Sequence, residues 1–271
     1  PAFAEEAYPS RPVRMIVSFA AGGPTDIVGR VISAKISEIL GQQFVVENRA
    51  GAGGNLGADV VAKSPPDGYT LLVATVSTHA INPGLYKKIP YDPIKDFTPI
   101  SQVGVTPTLL GVNPAIPATD AKSLITLIKD NPGKYSYGSS GVGSILHLCG
   151  AQFAALAGGL QMTHVPYRGG GPAFADLIAG RIDYICNYVS MGASAVKQGQ
   201  VKAIAMLARE RTPLLPDLPT AVHDTAGSLA SGHALVIGGG NATEQSVVQA
   251  REAGVADRPE RKYNPSGVEA A

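Results

Sequence analysis

Four short segments gather glycines, hydroxyls or backbone donors just after apolar, β-like runs, and three of them lead into a helix-like run. The first is Ala20-Ala21-Gly22-Gly23-Pro24-Thr25-Asp26. Glycines let the chain turn tightly and expose its N–H groups. A helix starting there adds unpaired donors and a partial positive charge, so a carboxylate or phosphate can be held by backbone alone. Thr25 or Asp26 is the expected helix cap, and the same residues also fit a plain strand-to-helix turn. The second segment, Tyr137-Gly138-Ser139-Ser140-Gly141-Val142-Gly143-Ser144, repeats the logic and adds three hydroxyl donors at Ser139, Ser140 and Ser144. The third is Thr75-Val76-Ser77-Thr78-His79, with Asn82 close by. The fourth is Pro166-Tyr167-Arg168-Gly169-Gly170-Gly171-Pro172. There Arg168 can pair with a carboxylate, although exposed loop arginines often contribute nothing measurable. Asp183 is expected on a strand, where it orients loop backbone.

Catalytic patterns fail on particular residues. A nucleophile elbow starting at Gly138 reaches Ser140 but meets Val142 where glycine is required. A dinucleotide fingerprint starting at Gly51 ends on Leu56 in place of its last glycine, and no Walker loop occurs. The five histidines, His79, His147, His164, His223 and His233, show no zinc-binding spacing. No acid/base pair can be nominated, so the reading is a binding protein without catalytic residues, cofactor or metal.

These segments need a scaffold, and the periodicity supplies one. Val13–Phe19, Phe44–Glu47 and Thr70–Ala74 read as strands, with helices over Thr25–Leu40 and Gly54–Lys63 between them. The apolar stripe Ile27, Val28, Val31, Ile32, Ile36, Ile39 and Leu40 marks the first helix, and Gly41 is placed to stop it. The same grammar restarts after Asp96. Strands are expected at Thr108–Val112, Lys134–Gly138, Met162–Val165, Ile182–Cys186 and Lys202–Leu207. Helices are expected at Asp120–Asp130, Ser144–Ala157, Pro172–Ala179 and Met191–Gln198. Two such series imply two α/β lobes, each a mostly parallel sheet flanked by helices, with the ligand beyond the carboxyl ends of the strands. Chain crossings are expected near Ile100–Val103 and near Leu207–Pro219.

The 271 residues, 45% hydrophobic and 16% charged, suffice for two cores and exclude wholesale disorder. A formal net charge of +1 leaves no global field for nucleic acid or an anionic membrane, so any bound anion is held by local groups. Ala2-Phe3-Ala4 before Glu5-Glu6 matches the small-x-small end of a signal peptide removed near Ala4. Cys149 and Cys186 suit an oxidising compartment and permit one disulfide, worth on the order of 3–4 kcal/mol, while two buried thiols remain the alternative.

The chain resembles the extracytoplasmic solute receptors of tripartite tricarboxylate transporters, the Bug family. The resemblance runs from Tyr8-Pro9-Ser10-Arg11-Pro12 to Leu215-Pro216-Asp217-Leu218-Pro219-Thr220. Between them lie Val17–Asp26, Glu47–Asn55, Ser64–Leu71, Asn82–Tyr86, Pro90–Pro93, Tyr137–Ser144, His164–Gly169 and Asp176–Gly180. Such a resemblance implies a periplasmic, type II periplasmic-binding-protein-like fold that closes on a small carboxylate: a di- or tricarboxylate, an acidic amino acid or an aromatic acid. By that analogy the loops Phe19–Asp26 and Ser139–Ser144 hold carboxylate oxygens, through Phe19, Ala21, Gly22, Gly23, Thr25, Asp26, Ser139, Ser140, Gly143 and Ser144. Thr75, Ser77, Thr78, Tyr167, Arg168 and Asp183 then line the cleft. The implied partners are the membrane permease subunits of such a transporter, with the receptor a monomer. A carboxylate sensor feeding a signalling partner is the alternative, and an unrecognised hydrolase a third. The domain expectation is lobe 1 over residues 5–103, lobe 2 over 104–220, and an atypical tail over 221–271 in which the family pattern stops.

Overall fold

The computed structural model describes residues 8–208 and 211–220. The expectations for Ala2–Ala4 and for residues 221–271 lie outside them. Two sheets organise the described residues. In the first, β1 (Val13–Val17) lies between β2 (Phe44–Asn48) and β3 (Thr70–Val73), and both pairings are parallel. Helix α1 (Pro24–Leu40) joins β1 to β2, and α2 (Asn55–Ala62) leads towards β3.

The second sheet has five strands. Its elements in chain order are β4 (Thr108–Val112), α4 (Ala121–Lys129), β5 (Ser136–Ser139), α5 (Ile145–Leu156), β6 (Thr163–Pro166), α6 (Gly170–Ile178), β7 (Tyr184–Tyr188), α7 (Val189–Lys197) and β8 (Lys202–Leu207). The spatial order is β6-β5-β7-β4-β8. β5 is parallel to β6 and β7, while β4 runs antiparallel to both β7 and β8. β6-β5-β7 therefore repeats the order of β2-β1-β3, and the repeated unit is the two-lobed architecture that the periodicity implied. The stretch 101–107 between the lobes has no regular structure.

Most of the buried apolar mass belongs to the second lobe. Leu124, Ile128, Leu146, Tyr184 and Ile185 belong to one large cluster there, whereas the first sheet's cluster centres on Val13, Met15 and Phe44. Cys149 on α5 and Cys186 on β7 are disulfide-bonded inside the large cluster, with both residues fully buried.

Two local expectations are corrected and one element is added. Helix α1 is where its stripe put it and ends at Gly41 in the left-handed conformation, but a different face packs inward. Gly29 and Ser33 are buried, while Ile27, Val31 and Ile39 are 45%, 65% and 68% exposed. Small residues win that face because the strands come so close: a Cβ on Gly29 would stand 3.0 Å from a Val17 methyl. Residues 77–85, to which no element was assigned from the sequence, form a π-helical turn (Ser77–Ile81) running into α3 (Asn82–Leu85). The proline-rich stretch after Leu207 does not leave the second lobe. Met206 bridges Thr220, and Leu215 packs with Leu109, Val189 and Met206.

Candidate functional site

Loops that follow β1 and β3 of the first sheet meet loops that follow β5 and β6 of the second. The Ala20 N–H donates to the Arg168 carbonyl at 3.0 Å. The Tyr86 hydroxyl donates to the Val142 carbonyl at 2.7 Å, and the Ile145 N–H to Ser77 Oγ at 3.1 Å. Gly53 shows how tight the approach is. It sits at φ 63°, and a Cβ there would lie 2.3 Å from the Val142 oxygen, so only glycine allows the lobes this close.

In the first loop Gly23, not Thr25 or Asp26, is the N-cap of α1, and it provides no side-chain cap. Pro24 is the first helical residue and has no N–H to satisfy. Asp26 is buried and turned back into its own lobe. Its oxygens accept from the Gly22 N–H (2.9 Å), Arg30 Nε (2.9 Å) and Asn48 Nδ2 (2.8 Å). Burial pushes its pKa up, and the bonds from Arg30, Gly22 and Asn48 more than offset this, leaving the carboxyl below its usual range. Asn48 also donates to the Phe19 carbonyl at 3.0 Å. Phe19 is buried, Ala21 and Gly22 are exposed, and Gly22 has spent its N–H on Asp26. Asp26 is thus the brace of this loop. The first-turn N–H groups of Thr25 and Asp26 have no carbonyl four residues back within the helix, whose first such bond runs from Ile27 to Gly23.

The three serines of the second loop separate by role. Ser139 is fully buried, its Oγ 2.7 Å from His164 Nε2 and accepting the Gly141 N–H at 3.1 Å. Ser144 caps α5: its Oγ accepts the His147 N–H at 3.2 Å and donates to the Gly141 carbonyl at 2.7 Å. The Gly143 N–H donates to His147 Nδ1 at 3.3 Å. Ser140 is the exception, because its hydroxyl makes no hydrogen bond among the described residues, although the residue is only 8% exposed. Under the loop the His147 and His164 rings stack at 4.3 Å. Burial, and then the neighbouring His147, lowers the His164 pKa to about 4, so both rings serve as neutral partners at neutral pH.

In the third segment Thr78 is fully buried and bonds the Thr75 carbonyl (3.0 Å) and His79 Nδ1 (2.9 Å), and the Thr75 N–H lies 3.2 Å from Thr78 Oγ1. Thr75 and Thr78 shape the turn, while Ser77 reaches the other lobe. Asn82, noted beside this segment in the sequence, and Tyr91, which was not assigned to the site, anchor it. Asn82 Nδ2 donates to Gly53 O (3.0 Å) and Asn55 Oδ1 (2.7 Å). The Tyr91 hydroxyl lies 2.8 Å from Asn55 Oδ1 and 2.7 Å from Thr78 O. Burial pushes the Tyr91 pKa up to about 12.

In the fourth segment the Tyr167 hydroxyl donates to Asp176 Oδ2 at 2.7 Å. Burial first, then Asp176, pushes its pKa up to about 12. Arg168 is exposed and makes no ion pair among the described residues. Asp183 is not in the cleft. It accepts from the Ser136 N–H (2.7 Å) and hydroxyl (2.9 Å), where β5 and β7 begin. β5 runs four residues from there to Ser139, which sets Asp183 about 10 Å from the loop end. A strand's two ends look alike in composition, and only its direction in the sheet separates them. Among the described residues no helix is long and apolar enough to cross a membrane.

A family model described as "Tripartite tricarboxylate transporter family receptor" matches residues 28–256. A UPF0065 protein of Pseudomonas sp. (strain P51) is 39% identical over 222 residues. The match takes in 82% of this chain and 65% of that relative, so the chain spans just under two thirds of its length. Among solved structures, MatC of Rhodopseudomonas palustris with bound malate is 34% identical. It superposes with a TM-score of 0.79 over 91% of this chain and 84% of its own. A second R. palustris protein, solved with adipate, is 33% identical with a TM-score of 0.78, over 91% and 82%.

Proposed function

The chain belongs to the tripartite tricarboxylate transporter receptor family, and from that premise we propose that it captures a small di- or tricarboxylate between its lobes in the periplasm. It hands the acid to membrane permease subunits as a monomeric, non-enzymatic receptor. Lobe 1 extends to about residue 103 and lobe 2 over 104–220. The observation that carries this reading is the meeting of two glycine-rich turns from the two lobes, each opening a helix: Ala20 before α1 bonds Arg168 before α6. First-turn N–H groups have no intrahelical acceptor, and an acceptor-rich anion complements them. In the turn before α5 Ser140 is the hydroxyl left uncommitted, and Arg168, before α6, is exposed. The acids found with two similar proteins, malate and adipate, suggest a short aliphatic diacid.

The test is a thermal-shift screen of purified protein against mono-, di- and tricarboxylates. An acid present at 100 times its dissociation constant stabilises by about 2.7 kcal/mol, a rise of several degrees in Tm. A sharp melt that no carboxylate moves rejects the reading.

A further inference from the structure

Gly143 sits between the two residues of the second loop that lobe 1 holds. On one side the Val142 carbonyl accepts the Tyr86 hydroxyl at 2.7 Å, and on the other the Ile145 N–H donates to Ser77 Oγ at 3.1 Å. The Gly143 N–H itself donates within lobe 2, to His147 Nδ1 at 3.3 Å. A ring nitrogen accepts only while it carries no proton, so this bond holds His147 as the neutral tautomer protonated on Nε2. A proton on Nδ1 would set two donors against each other inside the turn.

The groups packed around that ring do not favour a positive charge. His164 of β6 stacks on it at 4.3 Å, Tyr137 of β5 stacks on His164 at 4.8 Å, and Tyr184 of β7 stacks on Tyr137 at 5.4 Å. From lobe 1 the Tyr86 ring comes up beside Gly143, with Cε2 2.8 Å from the position of a Cβ there. Among the described residues no carboxylate bonds or pairs with either imidazole. Burial lowers the pKa of both rings, and both are half-buried, close enough to water to exchange a proton. His147 is the sensitive member of the pair. The Ser139 hydroxyl beside His164 Nε2 can accept as well as donate, whereas the Gly143 N–H can only donate.

We propose that His147 is an acid-sensitive latch of the second loop: a proton on its Nδ1 frees the Gly143 N–H, loosens the turn that lobe 1 grips, and lets the captured acid go in mildly acidic surroundings. The proposal rests on the receptor reading and adds a regulation to it. The folded His147 lies below the ordinary ~6.5 of the unfolded chain, so the turn is intact above that pH and weakens as pH falls through the lower, folded value. Closure of the lobes requires the neutral ring, and by linkage a proton on the ring lowers ligand affinity. A bound carboxylate acting through its charge alone would do the reverse and favour the imidazolium.

Malate and adipate are titrated into wild-type protein and His147→Gln by calorimetry at about pH 7.5 and about pH 5. The glutamine amide oxygen can take the Gly143 N–H but does not titrate, so the variant corrects for protonation of the ligand itself. Over this interval wild-type affinity falls at least about threefold more than that of the variant. A smaller difference, or a wild-type affinity that gains on the variant, overturns the latch while the receptor reading stands. In ligand-free, 15N-labelled wild-type protein the Gly143 amide proton moves upfield on acidification, with the midpoint of the His147 ring. A Gly143 amide that ignores this titration overturns the latch equally, even where the variant fails to fold. If no acid of the wider carboxylate screen binds wild-type protein at either pH, the receptor reading falls and takes the release step with it.

Discussion

Ser77 Oγ in the first lobe accepts the Ile145 N–H of the second at 3.1 Å, so the first residue of α5 is bonded by the opposite lobe. A π-helical turn aims Ser77 there, an arrangement that often marks functional sites. Ser77→Ala leaves that buried N–H unpaired only when the lobes are closed. The expected loss is about 1 kcal/mol of closed-state stability, about fivefold in affinity. Calorimetry checks it, and an unchanged Kd would assign Ser77 to local packing alone.

Ser140→Ala removes the one serine hydroxyl of the second loop with no internal bond. Affinity for the captured carboxylate drops by about 1–2 kcal/mol, with little change in the ligand-free melt. Ser139→Ala and Ser144→Ala, which break internal bonds, lower the melting temperature instead.

Gly53→Ala pushes a methyl towards the Val142 carbonyl and the Tyr86 hydroxyl that bonds it. The left-handed backbone adds about 1–2 kcal/mol of strain. Ligand affinity falls about tenfold or more, and small-angle scattering of the variant with saturating ligand gives a larger radius of gyration than wild type. Equal radii would show that the lobes close without this contact.

Glu47 carries the clearest pH dependence. The Arg14 side chain bonds it at 2.8 Å, and that bond, opposed by burial and aided by Arg49, holds its pKa at about 2. The folded value lies below the usual ~4.3 of the unfolded chain, so the contribution is complete above that pH and is lost as pH falls towards 2. The Glu47 side chain is 29% exposed and that of Arg14 41%, and solvent screening reduces the pair to about 1 kcal/mol. Urea melts of wild type and Glu47→Gln differ by that amount at pH 7 and converge near pH 2. A difference that persists at pH 2 would mean the loss is not electrostatic.

The order of strands and helices was legible in the sequence because it follows from local rules. Apolar runs alternate with helical stripes, Gly41 stops α1, and glycine-rich turns open α1, α5 and α6. Those rules also located both glycine loops, since a helix end must expose donors wherever it is placed. They did not say which face of α1 packs inward, because that depends on how near β1 and β3 come to Gly29.

The sequence by itself determined which side chains carry donors and where along the chain the turns fall. Only the tertiary structure decided which donors remain available to a ligand. Ser139 is spent on His164, Ser144 on capping α5, and Asp26 on Gly22, Arg30 and Asn48; Ser140 is spent on none of them. Asp183 and Asn187 lie at opposite ends of the same strand region, one bonded to Ser136 and the other beside the first turn of α6. A hydrogen bond consumes its donor, and the partners 22 to 68 residues away, Asn48 for Asp26, His164 for Ser139 and Ile145 for Ser77, are fixed by sheet order and lobe closure. No local pattern encodes that distance.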